Sequence, residues 1–171
     1  MAREVVVRRA TADDMLSVYE ITHIAFAKYA YDLGVPSHVE ALDETQEDIL
    51  REINTKYVLV AEIEGRIVAC VRYFKINDDI AYLCRFAVRP EFQRSGVGKV
   101  LVSNVEAGCR GLGVKAIALH TCAKMRANIR FYYAAGFYIY DVSRDRGYIR
   151  ALLLKDLEDR PSYDVSAAME M

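Results

Sequence analysis

The chain has 171 residues, with hydrophobic types at 53% and charged types at 27%. That is enough apolar material for one ordinary domain with a packed core, and it excludes a chain disordered throughout. A formal net charge of -1 gives no support for non-specific nucleic-acid binding. No apolar run is long enough to span a bilayer, and no secretory signal pattern opens the chain.

In chain order, Glu4-Val5-Val6-Val7-Arg8 is a β-branched run and predicts the first strand. Thr11 stands three residues before Asp14, the spacing of a capping box. Met15, Tyr19, Thr22, Phe26 and Tyr29 then fall on one helical stripe. Gly34, Pro36 and Ser37 break it, and Leu42, Gln46, Ile49, Leu50 and Ile53 predict a second helix with acid on its outer face. Between the two, Tyr31, Asp32, Val35 and His38 form a connection that either lines a substrate mouth or simply joins the helices. Strands are expected over residues 57–61, 67–74 and 80–88, with turns at Glu64-Gly65 and Asn77-Asp78-Asp79.

Pro90 stops the third of these strands. Gln93-Arg94-Ser95-Gly96-Val97-Gly98 turns the chain, and Val97, Leu101, Val105 and Cys109 follow at helical spacing. A strand over residues 115–120, a short helix with Met125, Ile129, Tyr132 and Tyr133 on its stripe, and a final hairpin about Asp145-Arg146-Gly147 complete the chain. The order β-α-α-β-β-β-α-β-α-β-β gives an α/β fold, with a mixed, mostly antiparallel sheet and helices on both faces. Residues 1–157 read as a single domain. Residues 158–171 lose periodicity and read as a C-terminal tail, loosely ordered or packed on a partner.

Cys70, Cys84, Cys109 and Cys122 include no CxxC pair. They read as buried small residues in a reducing compartment, with no metal site and no disulfide framework, which places the protein in the cytoplasm.

The turn at residues 93–98 bares backbone N–H groups at the positive end of a helix, a seat for an anion such as a pyrophosphate. It is not a nucleotide P-loop, because Gly98-Lys99 is followed by Val100 and no glycine stands at Phe92 or Gln93. It is not a dinucleotide fingerprint, because Leu101 stands where a third glycine or alanine belongs. Two readings remain from the hexapeptide alone: a Q/R-x-x-G-x-G/A pyrophosphate turn, or a purely structural turn.

Phe86-Ala87-Val88-Arg89-Pro90-Glu91-Phe92-Gln93-Arg94-Ser95-Gly96-Val97-Gly98 resembles the strand-loop-helix signature of the GNAT acyltransferase superfamily. Asn128-Ile129-Arg130-Phe131-Tyr132-Tyr133-Ala134-Ala135-Gly136-Phe137 resembles that superfamily's N-x-x-F-Y-x-x-x-G-F segment, and the element order agrees over residues 4–155. The resemblance implies an acetyl-CoA-dependent N-acetyltransferase whose sheet is splayed between the fourth and fifth strands. It implies cofactor contacts from Phe86, Ala87 and Val88 to the pantetheine arm and from Gln93, Arg94, Ser95, Gly96, Val97, Gly98 and Lys99 to the pyrophosphate. Asn128 and Tyr132 join them from the later helix. Tyr132 is the expected acid: a phenol with a reference pKa of about 10 stays protonated at neutral pH and can donate to a departing thiolate. In isolation, an aromatic on a helical stripe is ordinarily core.

Many members of the superfamily use a glutamate on the strand before the motif. Here Tyr82, Leu83, Cys84 and Arg85 occupy that region, so the base stays open among Glu62, Asp79, His120, the acidic second helix and a water relay. Tyr29, Tyr31, Tyr73, Tyr82 and His38 are candidates to surround the acceptor, which is a small-molecule amine or an amine of a peptide or protein. Similar proteins are commonly dimers, so the state is open between monomer and homodimer. The rival functions are a non-catalytic acyl-CoA binding or sensing module and a nucleotide-phosphate binder.

Overall fold

The hairpin signals set the strand boundaries. Glu64 (φ 52°) and Gly65 (φ 76°) turn the chain through the left-handed region, and the Asn77 side chain accepts from the Asp79 and Ile80 N–H groups at 2.9 and 2.8 Å. In the computed structural model, which describes residues 3–34, 39–159 and 162–171, the strands are β1 (Val6–Arg9), β2 (Tyr57–Ile63), β3 (Arg66–Lys75), β4 (Ile80–Val88), β5 (Ala116–Cys122), β6 (Tyr138–Ser143) and β7 (Arg150–Asp156). The helices are α1 (Met15–Leu33), α2 (Gln46–Thr55), α3 (Val97–Gly111), α4 (Arg126–Ala134) and a short α5 (Ser166–Met169). The sheet order is β1-β2-β3-β4-β5-β7-β6. The fold is mixed α/β, and every β-α-β expectation from the sequence has its element. No described helix is long and apolar enough to cross a membrane.

The described residues divide into two units. The first takes residues 3–34, 39–73 and 85–105, and the second takes residues 74–84, 106–159 and 162–171.

In the first unit β1 runs antiparallel to β2, and β2 to β3, with a register shift at Ala61/Glu62. Val58, Leu59, Val60 and Ala61 are all buried, so both faces of β2 are covered. On one face Val58, Val60, Cys70 and Ala87 meet Val18 and Ile21 of α1 and Ile49 and Ile53 of α2. The most buried line of α1 is Val18, Ile21 and Thr22, whereas Met15, Tyr19 and Phe26 lie at its flank, partly buried. Asp14 closes the capping box with Thr11 and takes the Arg8 fork at 2.7 and 2.9 Å. Its carboxyl is held down at about 2, first by the Arg8 hydrogen bonds, which outweigh desolvation.

In the second unit β4 pairs parallel with β5 over three positions, Ile80–Ala116 to Tyr82–Ala118, and the pairing does not reach Leu83. β5 continues to Cys122 paired only with antiparallel β7. β6 lies on the other side of β7. Pairing between the fourth and fifth strands therefore covers three positions. Ile80, Tyr82, Ala118, Leu152 and Leu154 form one buried face.

Within residues 162–171 lies the short α5. α5 buries Val165 and Ala168 against that face, with Tyr163 and Met171 partly buried beside them. Two apolar anchors on one turn are enough to dock it and too few to produce a periodic pattern.

Candidate active site

In the first unit the end of β4 is tied back to β3 and α1. The Arg89 N–H donates to Val68 O at 2.9 Å, and its guanidinium reaches Ile67 O (3.2 Å) and Glu20 (3.5 Å). Phe86 and Val88 are half-buried, while the Ala87 side chain is spent in the core, so only its backbone is available to a ligand.

The turn after β4 spends some of its donors internally. Gln93 N–H donates to Pro90 O and Ser95 N–H to Phe92 O, and the Ser95 hydroxyl also donates to Phe92 O at 2.5 Å. Arg94 (φ 62°) and Gly96 (φ 88°) take left-handed backbone, which a glycine adopts without strain. The first bond returning into α3 is Val100 N–H to Gly96 O at 3.2 Å. This leaves the N–H groups of Gly96, Val97, Gly98 and Lys99 without an acceptor among the described residues, as helix geometry requires of a first turn. Val97 is buried and anchors the helix, whereas Gln93, Arg94, Ser95, Gly96 and Lys99 are exposed. Open space surrounds the Gly96 Cα where a side chain would project. Orphan donors, a dipole end and two exposed cations fit a pyrophosphate-sized anion.

In the second unit α4 carries the other residues expected at the site. Gly136 (φ 93°) ends the helix in a Schellman arrangement: its N–H bonds to Tyr133 O at 3.0 Å, and the Phe137 N–H reaches Tyr132 O at 3.0 Å. Tyr132 is buried, edge-on to Phe131 and Phe137. Burial pushes its phenol well above the ordinary tyrosine range, and the nearby Tyr82 phenol and Cys84 thiol add to the shift. It is therefore protonated at physiological pH. Asn128 Nδ2 donates to Thr121 Oγ1 at 3.3 Å, so half of its amide fastens α4 to β5. Tyr133 is exposed, as the helical period requires of the residue after Tyr132.

Tyr82 Oη and His120 Nδ1 share a hydrogen bond of 2.8 Å. Burial, then the Arg150 charge, lowers the imidazole to about 4, so it is neutral at physiological pH. The other base candidates are committed elsewhere. Glu62 binds Arg8, and Asp79 binds Lys115 at 2.9 Å. Cys70 and Cys109 are pushed up by burial, to about 11 and about 12, and are inert as nucleophiles.

Of the acceptor candidates, Tyr73 is buried and stacked on Tyr57 at 5.0 Å, and Tyr31 is largely exposed. Tyr29 packs edge-on to Phe26 at 5.9 Å. Val35 and His38 lie outside the described residues.

One group in the first unit escaped the sequence reading. Arg85, with φ 52° inside β4, donates from Nε to Glu44 Oε1 at 2.8 Å. Arg72, with its side chain 2% exposed, binds the same carboxylate with both terminal nitrogens at 3.0 and 2.7 Å. Burial pushes Glu44 up, but the Arg72 and Arg85 hydrogen bonds and charges outweigh it and hold the carboxyl below its usual range. The signal was Arg72 itself: a charge within an apolar strand run demands a buried partner.

Residues 18–137, from α1 to Phe137, match the Acetyltransferase (GNAT) family. The chain belongs to that family. It is 36% identical over 78 residues to an amino-acid acetyltransferase of Pseudomonas paraeruginosa, a match that takes in 45% of this chain and 18% of that much longer protein. In fold it is similar to the PaiA N-acetyltransferase of Thermoplasma acidophilum, solved in complex with coenzyme A (TM-score 0.77, 21% identity, 90% of this chain and 99% of that one). It is also similar to YncA of Salmonella typhimurium, a putative acetyltransferase solved with acetyl-CoA (TM-score 0.74, 16% identity, 94% and 98%).

Proposed function

We propose that the chain transfers an acetyl group from acetyl-CoA to an amine by direct attack on the thioester. The observation that carries this reading is the row of orphan N–H donors from Gly96 to Lys99 directly after β4, flanked by Arg94 and Lys99. The turn residues 93–99 bind the pyrophosphate through backbone donors and the two cations. The backbone of Phe86, Ala87 and Val88 pairs with the amides of the pantetheine arm, as an added strand would. Asn128 contributes the carbonyl of its amide.

In the transfer, the amine nitrogen bonds to the thioester carbon, and the C–S bond breaks. The departing thiolate takes a proton through the Tyr132 phenol, and the proton that the amine sheds replaces it, so Tyr132 ends the transfer protonated and the balance is neutral. An amine with a lysine-like pKa near 10.4 must lose about 4–5 kcal/mol to be neutral at pH 7, so the proton needs a route. Glu62 and Asp79 are engaged with cations, whereas the neutral Tyr82–His120 pair is not, so that pair is the candidate for the route. The acceptor is a small-molecule amine or a peptide amine, in keeping with the amino-acid acetyltransferase relative and with a similar fold in an Escherichia coli enzyme that acetylates a ribosomal-protein alanine (TM-score 0.73, 17% identity). Four thiols outside any disulfide suit the cytoplasm.

A non-catalytic acyl-CoA sensor is the second reading, favoured by a β4 that carries no carboxylate before the motif. Thiol release from acetyl-CoA across an amine panel separates the two. The transferase reading expects turnover with at least one amine and a loss of about a hundredfold or more in kcat for Tyr132→Phe. Tight CoA binding with no turnover establishes the sensor instead, and an unimpaired Tyr132→Phe variant removes Tyr132 as the acid.

A further inference from the structure

Arg72 is fully satisfied without Arg85. Its fork takes both oxygens of Glu44, and Glu52 stands 3.5 Å away. Arg85 adds a second guanidinium to the same carboxylate through Nε alone. Its two terminal nitrogens have no partner among the described residues, and its side chain is 24% exposed. The guanidinium lies over the Phe26 ring, 6.0 Å from its centroid. Lys56 also binds Glu52, at 2.8 Å.

The pinning is specific. Thr45 caps α2, with its hydroxyl accepting from Asp48 N–H at 3.2 Å and its own N–H donating to Asp48. That capping box fixes Glu44, the preceding residue, and Glu44 fixes Arg85 Nε. What remains is the flat edge of a guanidinium held at one end, the geometry that takes a carboxylate through two parallel hydrogen bonds. Arg85 holds left-handed backbone that costs a non-glycine residue strain. It immediately precedes Phe86, the first residue of the segment assigned to the pantetheine arm.

We propose that Arg85 binds a carboxylate of the acceptor, and hence that the acceptor is a free amino acid or a comparable amine bearing a carboxylate. The proposal deepens the acetyl-transfer reading and rests on it. Arg85 is a specificity-determining residue here, and Glu44 is the positioning residue behind it.

The test is calorimetric titration of the protein, saturated with CoA, with the free amino acids and with the amide of each. At least one amino acid should bind about tenfold or more tightly than its amide, the scale of a charged hydrogen-bonded pair. Arg85→Gln should abolish that ratio and Arg85→Lys restore it only in part. In turnover, Arg85→Gln should raise KM for the amino acid and leave kcat nearly unchanged. The proposal is overturned if acids and amides bind alike, if nothing in the panel binds, or if Arg85→Gln keeps the discrimination. Should Arg85→Gln fail to fold, the wild-type acid-to-amide ratio and the Arg85→Lys variant decide. Because binding is read without turnover, Arg85-dependent binding with no thiol release would sink the transferase reading, the bound carboxylate then belonging to a ligand and not to an acceptor.

Discussion

His120 is a residue whose environment has a consequence outside any reaction. Its imidazole is lowered to about 4 from an ordinary 6.5, first by burial and then by Arg150 and Arg146, against opposing pulls from Asp145 and Asp141. Between those two values the unfolded chain binds a proton that the folded chain refuses, so folding stability is complete above pH 6.5 and falls as the pH drops towards 4. His120→Gln should flatten that part of the curve. Melting temperatures at pH 7 and pH 4.5 are the measurement, and the wild type should lose several degrees more than the variant. Equal losses would mean that His120 is not held neutral by the fold. At this scale the sequence marks Tyr132 as a candidate through the F-Y-x-x-x-G-F segment that carries it. Glu44 was not legible, because it is defined by partners 28 and 41 positions away, and no local pattern marks a residue chosen by distant arginines.

Elements were more legible than residues, because the turn chemistry that ends them is local. The Asn77 side chain, the Thr11–Asp14 box and the glycine after α4 each act over two to four residues, within reach of a pattern. Gly136 shows how firmly such a residue is specified. At φ 93° it occupies backbone that an L side chain adopts only with strain, and an added Cβ would stand 3.1 Å from Lys155 Cε. Lys155 cannot easily give way, since its ammonium binds Ala135 O at 2.7 Å and Glu106 at 2.5 Å. Gly136→Ala should therefore cost about 1–2 kcal/mol, the backbone penalty plus the displaced lysine. Urea unfolding of the variant with Lys155→Ala and of the double variant separates the two contributions. If Gly136→Ala costs nothing beside wild type, the Schellman end of α4 does not constrain the helix that carries Tyr132.

For the whole molecule, the order of strands and helices followed from periodicity, since each unit buries long regular runs. Residues 162–171 show no periodicity for the converse reason. A helix of four residues cannot show an amphipathic stripe, yet its fit against Ile80, Tyr82, Leu152 and Leu154 leaves Ala168 with no exposure at all. The same argument fixes what a substitution should do. Ala168→Asp places a carboxylate against an apolar face with no cation among its neighbours in that cluster, a cost of about 2–4 kcal/mol unless α5 lifts away. Lifting away has its own signature, because it exposes the apolar face and raises hydrogen exchange in β7. Glu170→Ala, on the exposed side of the same turn, should change stability by less than about 0.5 kcal/mol. Denaturant midpoints together with exchange rates for residues 150–156 distinguish the outcomes. Wild-type stability and wild-type exchange in Ala168→Asp would show that the C-terminal segment adds nothing to the core it covers.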